Sequence, residues 1–264
     1  IDSNEALGGA EFTLEGAFSD GKGGSVERLG NDAAKVIVGA DGKLTVSGAS
    51  DVADGKGLDA IRGLVAGEEY TLTETRAPEG YELNTQPFVF AMGNDGAVVP
   101  AGEAWGWSVE SGSASIVAAD KAIEFRILKQ GRAIGGKEAE SADPGFMAGA
   151  EFAVTGVFAG STEESTDVMT VGIDGWTEGW SSLLVAGNIY KISETRAPLG
   201  YKLIAEPLNV MVKTDGTLVA VDAEGNALDA DAGAQGWTVS EDTEGIAQIT
   251  AVDEPTSVTL SKVS

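Results

Sequence analysis

Two residue types are missing from this chain of 264 residues: cysteine and histidine. Without cysteine there is no disulfide and no thiolate nucleophile. Without histidine there is no Ser-His-Asp catalysis, no His-Zn site and no general base of the usual kind near neutral pH. A metabolic enzyme or an ordinary hydrolase is therefore disfavoured, and no cofactor is implied. Gly21-Lys22-Gly23-Gly24 lacks the spacing of a phosphate-binding loop. Positive charge is scarce, with 17 Lys and Arg against 42 Asp and Glu and a net charge of −25. Phosphates would be repelled, which argues against nucleic acid or an anionic membrane as partner. No apolar run approaches the roughly 18 residues of a membrane span, so no membrane insertion is expected. The chain shows neither a secretory leader nor a Leu-Pro-x-Thr-Gly sorting signal. A secreted parent would have lost them or would carry them outside this stretch.

What is present reads as all-β. Helical periodicity is nearly absent, and short alternating runs at 11–14, 35–38, 43–46, 70–73, 88–92 and 123–128 are separated by Gly, Asp and Asn turns. Only 54–63 suggests a helical turn. A hydrophobic content of 42% is enough for real cores, and the length suggests one or two domains.

The strongest organising signal is an internal repeat. Glu74-Thr-Arg-Ala-Pro-Glu-Gly-Tyr81 returns as Glu194-Thr-Arg-Ala-Pro-Leu-Gly-Tyr201, each copy preceded by Leu-Val-Ala-Gly, two residues and Tyr. Gly9-Ala-Glu-Phe12 returns as Gly149-Ala-Glu-Phe152, Trp107-Ser-Val109 as Trp237-Thr-Val239, and the run 116–120 as 249–253. The changing offsets mark loop-length differences between two copies of one domain. Alternation puts Glu74 on the face of Tyr70 and Leu72, and Glu194 on the face of Tyr190 and Ile192. A carboxylate on an apolar face calls for a reason.

These elements resemble the SpaA-type, or Cna B-type, prealbumin-like domains of Gram-positive surface proteins and pilins. The Gly-Ala-x-Phe segment, the Glu-Thr-x-Ala-Pro-x-Gly-Tyr box, a first strand ending in Lys and a last strand ending in Asp occur at the right distances, and the match spans nearly the whole chain twice. The resemblance implies tandem β-sandwiches of inverse immunoglobulin type. It also implies a self-formed isopeptide bond between the first-strand Lys and the last-strand Asn or Asp, promoted by the box Glu. A lysine amine attacks a carboxyl carbon only when the amine is neutral and the carboxyl protonated, which burial favours. A second carboxyl can move the protons, and contact supplies effective concentration. Such self-cross-linking turns over once, so the protein is not an enzyme in the usual sense. In the second copy these roles fall to Lys129 as nucleophile, Asp253 as acceptor and Glu194 as proton shuttle. The competing reading makes Lys129 an exposed lysine at a strand end and Asp253 the start of a turn before Pro255.

The expected domains are 1–121, a first copy lacking its own first strand; 122–255, a complete second copy; and 256–264, a further first strand. Glu74 and Asp120 stand in the first copy without a lysine. Lys262 stands at the position of Lys129, 133 residues on. Strand donation follows as an expectation: 256–264 of one chain completes the first domain of the next, and Lys262 bonds to Asp120 with Glu74 assisting. The alternative is a segment of a longer polypeptide in which the same joins are continuous. The expected partners are thus copies of the chain, head to tail, or neighbouring domains. The expected role is a structural unit of an extracellular fibre, pilus or cell-wall-attached stalk. The rival is an adhesin recognising host glycan or matrix, with Trp176 and Trp180 as a candidate patch. Asp222, Glu224, Asn226, Asp229 and Asp231 form an acidic loop whose spacing departs from a calcium-binding EF-hand and which reads better as solvated. No metal is expected.

Overall fold

The computed structural model of the chain describes residues 7–110, 112–133, 142–228 and 236–262. The chain divides into two compact units, Ile1–Lys121 and Ala122–Ser264. In the first, the strands are β1 (Glu11–Ser19), β2 (Ser25–Arg28), β3 (Ala34–Val38), β4 (Leu44–Ser47), β5 (Gly55–Leu58), β6 (Glu69–Arg76), β7 (Phe88–Met92), β8 (Val98–Pro100), β9 (Trp107–Val109) and β10 (Ile116–Ala118). In the second they are β11 (Glu124–Gly131), β12 (Glu151–Gly156), β13 (Ser165–Thr170), β14 (Trp180–Ser181), β15 (Ile189–Arg196), β16 (Leu208–Val212), β17 (Leu218–Val221), β18 (Trp237–Glu241) and β19 (Ala247–Asp253). The fold is all-β, as the alternating runs predict. The expected helical turn at 54–63 is instead strand β5, which pairs with β4. Glycine every other position there (Gly55, Gly57) removes the side chains that would favour a helix, and the cross-strand ladder decides.

The second unit is a sandwich. One sheet has the order β14-β11-β19-β18 and the other β13-β12-β15-β16-β17. Their facing residues form one core that includes Phe125, Ile127, Phe152, Tyr190, Ile192 and Ile249. The first and last strands, β11 and β19, are neighbours and run parallel. The first unit repeats the large sheet through β1, β6, β7 and β8, but its second sheet is only β10-β9. Among the described residues no strand takes the place of β11 beside β10.

The repeated Leu-Val-Ala-Gly-x-x-Tyr lead-in has a physical explanation. The Tyr190 hydroxyl donates to the Val157 carbonyl at 2.6 Å and accepts from the Val185 amide at 2.9 Å. Tyr70 makes the equivalent bonds to the Ala17 carbonyl and, at 2.6 Å, from the Val65 amide. Each tyrosine ring lies against a glycine of the partner strand, Gly156 at the end of β12 for Tyr190 and Gly16 within β1 for Tyr70, where an added Cβ would run into the ring. Gly156→Ala is expected to lower the stability of the second unit by about 1–3 kcal/mol through overpacking. The urea midpoint measures this, and an unchanged midpoint would contradict the packing described.

Candidate cross-linking site

Strand alternation delivers three ionisable side chains to one point in the core of the second unit. β11 turns Phe125, Ile127 and Lys129 inward, β19 turns Ala247, Ile249, Ala251 and Asp253 inward, and β15 turns Tyr190, Ile192 and Glu194 inward. In the parallel pair Gly131 stands opposite Asp253, so Lys129 and Asp253 are diagonal neighbours on the buried face. Glu194 reaches them from the opposing sheet. The Lys129 amine donates a hydrogen bond to Asp253 Oδ1 and lies 2.7 Å from Glu194 Oε1, and all three side chains have 0% exposure. The amine also lies 5.5 Å from the centre of the Phe152 ring. Lys129 is neither exposed nor at a surface, and Asp253 belongs to a strand rather than a turn, so the competing reading of these two residues falls.

The rest of the box holds Glu194 in place. Opposite β12, Phe152 pairs with Glu194 but Glu151 with Arg196, which makes Thr195 the extra residue of a β-bulge. The Thr195 hydroxyl donates to the Glu151 carbonyl at 3.2 Å, and Arg196 pairs with the Glu151 carboxylate at 3.1 Å. After the Ala-Pro-x-Gly turn the chain returns, and the Ile204 amide donates to Glu194 Oε2 at 2.8 Å. The same bulge recurs at Thr75, with Thr75 on the Glu11 carbonyl and Arg76 on its carboxylate. Sequence reasoning assigned the glutamate and missed these supports. The signal was there: the box repeats Thr-Arg wherever Gly-Ala-x-Phe repeats with Glu at x. Tyr201, the last residue of the box, packs over Gly131 and donates to the Arg132 carbonyl at 3.0 Å, closing the end of the site nearest Asp253.

Burial raises the Asp253 pKa, the neighbouring Glu194 carboxyl raises it further, and the Lys129 amine opposes the shift. Asp253 Oδ2 is buried without a hydrogen-bond partner, and Glu194 Oε1 is buried with the Lys129 amine 2.7 Å away as its ion-pair partner. The arrangement therefore sets an amine against a carboxyl that burial drives toward its protonated, electrophilic form, with a second carboxyl in reach of the amine's protons.

The first unit has the same pocket without the amine. Glu74 is 3% exposed, and its Oε2 accepts from the Asn84 amide at 2.8 Å, the counterpart of Ile204. Glu74 Oε1 and Asp120 Oδ1 are buried with no hydrogen-bond partner. Burial, with the nearby Asp120 charge, pushes Glu74 up to about 7, and burial raises Asp120 as well. Lys121, the nearest lysine in sequence, pairs with Glu82 at 3.0 Å instead. Lys262 is exposed, in a segment that joins no strand.

The remaining candidates look different in three dimensions. Trp180 is half-buried, its ring packed edge-on against Phe125 and Phe158. Trp176 is half-buried under the Arg126 guanidinium, 4.2 Å from its ring centre. Trp107 and Trp237 belong to the two cores. In the acidic loop Asp222 is occupied by its own turn, accepting from the amides of Glu224 and Asn226; Asp229 and Asp231 lie outside the described residues. Among the described residues no cluster of three or more His, Cys, Asp or Glu side chains is placed to hold a metal ion, and no helix is long and apolar enough to cross a membrane.

A profile of the SpaA family, described as a prealbumin-like fold domain, matches residues 1–102 and 134–227. No curated protein matches the chain. Among solved structures, a C-terminal fragment of the pilus adhesin SpaC from Lactobacillus rhamnosus GG is 17% identical, with a TM-score of 0.44 over 96% of this chain and 91% of that one. The shaft pilin SpaA of the same organism is 14% identical, with a TM-score of 0.31 over 97% and 88%. GBS52, the minor pilin of Streptococcus agalactiae, is 11% identical, with a TM-score of 0.31 over 98% and 88%.

The empty first-unit pocket has a measurable signature. Folded Glu74 keeps its proton up to about 7, against 4.5 for an ordinary glutamate. Between those values the folded state binds more protons than the unfolded one, so this contribution is full below the lower value and is lost as pH rises through the upper. Asp120, also raised, acts with the same sign. The first unit's Tm is expected to fall from pH 5 to pH 8, and Glu74→Gln to flatten that slope. A variant that keeps the parent's slope would refute the assignment.

Proposed function

The chain belongs to the SpaA family of prealbumin-like fold domains, and from its buried amine–carboxyl cluster we propose that it is a structural unit of an extracellular fibre, pilus or surface stalk. In this reading it is hardened by a self-formed amide between Lys129 and Asp253 and joined head to tail to copies or neighbouring repeats of itself. The observation that carries the proposal is the Lys129 amine, held on Asp253 Oδ1 and 2.7 Å from Glu194 Oε1 with no solvent access. Neutral Lys129 attacks the Cγ of protonated Asp253. Glu194 takes a proton from the nitrogen and returns one to the departing oxygen. The C–O bond breaks, the C–N bond forms, one water leaves, and Glu194 ends as it began. Contact geometry supplies the effective concentration that an amide-forming step otherwise lacks. The protein is its own substrate and reacts once.

A mechanical role follows from where the bond falls. Lys129 and Asp253 lie near the C-terminal ends of two parallel strands, the first and last of the unit. Tension entering at the start of β11 and leaving after β19 would pass along β11, across the amide and out of the chain. The residues between 129 and 253 would carry no load. The amide would also close a loop spanning that interval, which in the chain-entropy account of cross-links stabilises by about 5 kcal/mol.

Intact-mass measurement of the purified chain is the test. A chain lighter than its sequence by one water is expected, with a branched Lys129–Asp253 peptide after digestion. Glu194→Ala, Lys129→Ala and Asp253→Ala should each restore the full sequence mass and lower the second unit's Tm. A parent chain at full sequence mass would end the isopeptide reading, and a bond that still forms in Glu194→Ala would remove its shuttle role.

A further inference from the structure

Strand β11 carries Lys129, and it is held from two sides. On one side it pairs with β19, which carries Asp253. On the other lies the segment 175–182. The Lys129 amide donates to the Gly175 carbonyl at 2.7 Å, the Thr177 amide to the Ile127 carbonyl at 2.9 Å and the Ser182 amide to the Ile123 carbonyl at 3.1 Å. One bond along this edge is made by a side chain: the Thr177 hydroxyl accepts from the buried Ile127 amide at 3.0 Å. Thr177 therefore holds both polar groups of Ile127, two residues before the reacting lysine. Thr177 is itself tied to the large sheet. It bridges to Val171, just past β13, and the Trp176 carbonyl accepts from the Gly172 amide at 2.7 Å. That sheet carries Glu194 on β15.

A second tie lies on the outer face. Arg126 of β11 stands opposite Gln248 of β19. The Arg126 guanidinium pairs at 3.2 Å with Asp242, in the turn that joins β18 to β19. Asp242 is fixed there by the amides of Glu244 and Ile246, each at 2.9 Å, and by the Gln248 side chain at 3.3 Å. The guanidinium also lies over the Trp176 ring, 4.2 Å from its centre, where the ring face attracts a cation. Trp176 and Asp242 thus hold Arg126 between the segment 175–182 and the β18–β19 turn.

These ties matter because the core face alone does not fix the register of β11. A one-residue slip along β19 would turn Lys129 and its apolar neighbours out of the core, which burial opposes. A two-residue slip leaves Phe125, Ile127 and Lys129 on the inner face, so burial discriminates against it far less. It would still carry the lysine about 7 Å along its partner strand. A misplacement of about 1 Å can already cost a hundredfold in a reaction that depends on position.

Resting on the proposed Lys129–Asp253 amide, we infer that Thr177 and Arg126 are positioning residues for its formation. Thr177 registers the lysine's strand to the sheet that carries Glu194. Arg126, held by Trp176, registers it to the strand that carries Asp253. Both act through the backbone of β11. Trp176 thereby has a task inside its own unit, distinct from capture of a ligand.

The experiment uses the full chain made by cell-free synthesis, with intact mass followed after synthesis is stopped, so that the rate of losing one water is read directly. Thr177→Val keeps the branched shape and removes the acceptor; Arg126→Ala removes the outer tie. Each is expected to slow the water loss by about ten- to a hundredfold. Thr177→Ser, which keeps the hydroxyl, should restore the parent rate. Gly156→Ala is the control: it weakens packing under Tyr190, away from both ties, and should keep the parent rate. Tm values measured in a Lys129→Ala background, where the amide cannot form, place all the variants on one stability scale. Rates that simply follow that scale, Gly156→Ala included, would overturn the positioning role. Parent-like rates in both Thr177→Val and Arg126→Ala would overturn it too, and would leave the amide standing. A parent chain that never loses water would end the amide reading and this inference with it. Should Thr177→Val fail to fold, Arg126→Ala, on the partly exposed outer face, decides alone.

Discussion

A lysine with no access to solvent, enclosed by two carboxyls, is the constraint around which the second unit is built. Three ionisable groups in a dry core carry an odd charge if all are ionised, and removing charges from water costs several kcal/mol per ion even after relaxation. The Lys129 cluster reduces that cost in steps. Burial, opposed by the Lys129 amine, moves Asp253 toward its protonated form. Amide formation would complete the process, because a neutral amide and water replace an ammonium and a carboxylate. The desolvation that makes the cluster costly as a salt bridge is thus the same force that would drive it to react. Packing holds the atoms in contact; low dielectric decides which protonation states survive there.

Much of the surrounding architecture serves that one point. Alternation along β15 turns Glu194 into the core two residues before the strand ends, and the Thr195 bulge follows it directly. The proline–glycine turn brings the Ile204 amide back onto Glu194 Oε2 and leaves the other oxygen for the amine. Tyr201 closes the end near Asp253 by lying on Gly131, where any side chain would displace it. The first unit shows which of these supports are independent of the lysine. Its bulge, its returning amide and its tyrosine–glycine contact beneath Tyr70 are all formed. Among the described residues no strand covers β10 on its far side, and Ala118, Ile116 and Tyr81 are less buried than their counterparts Ala251, Ile249 and Tyr201.

The parts of this that the residues disclosed in advance are those with a two-residue period or an exact repeat. Alternation along 123–129 and 190–194 puts Lys129 and Glu194 on apolar faces, Asp253 reads as the end of its strand, and the repeat pairs each with a counterpart. What alternation could not disclose was the third dimension. That β11 and β19 run parallel as neighbours is a matter of topology. That Thr195 is a bulge depends on a partner strand more than 40 residues away in sequence. Local composition misled at 54–63, where turn-forming residues suggested a helical turn and pairing with β4 made a strand. The tryptophans show the same limit: Trp176 and Trp180 read as a surface pair because nothing in the sequence says that Arg126 covers one and that Phe125 and Phe158 flank the other.

The placement of the cluster along its strands bears on what kind of object the chain can be. A cross-link at the N-terminal ends of two parallel strands would put the last strand, rather than the first, in the path of tension. At the C-terminal ends, where Lys129 and Asp253 lie, only the first strand stands between the pulling point and the amide. Force on such a unit would then pass through one strand and one amide, with the rest of the sandwich beside the load path. Resistance to force would depend on whether Asp253 has bonded to Lys129, and far less on the folding stability of the unit.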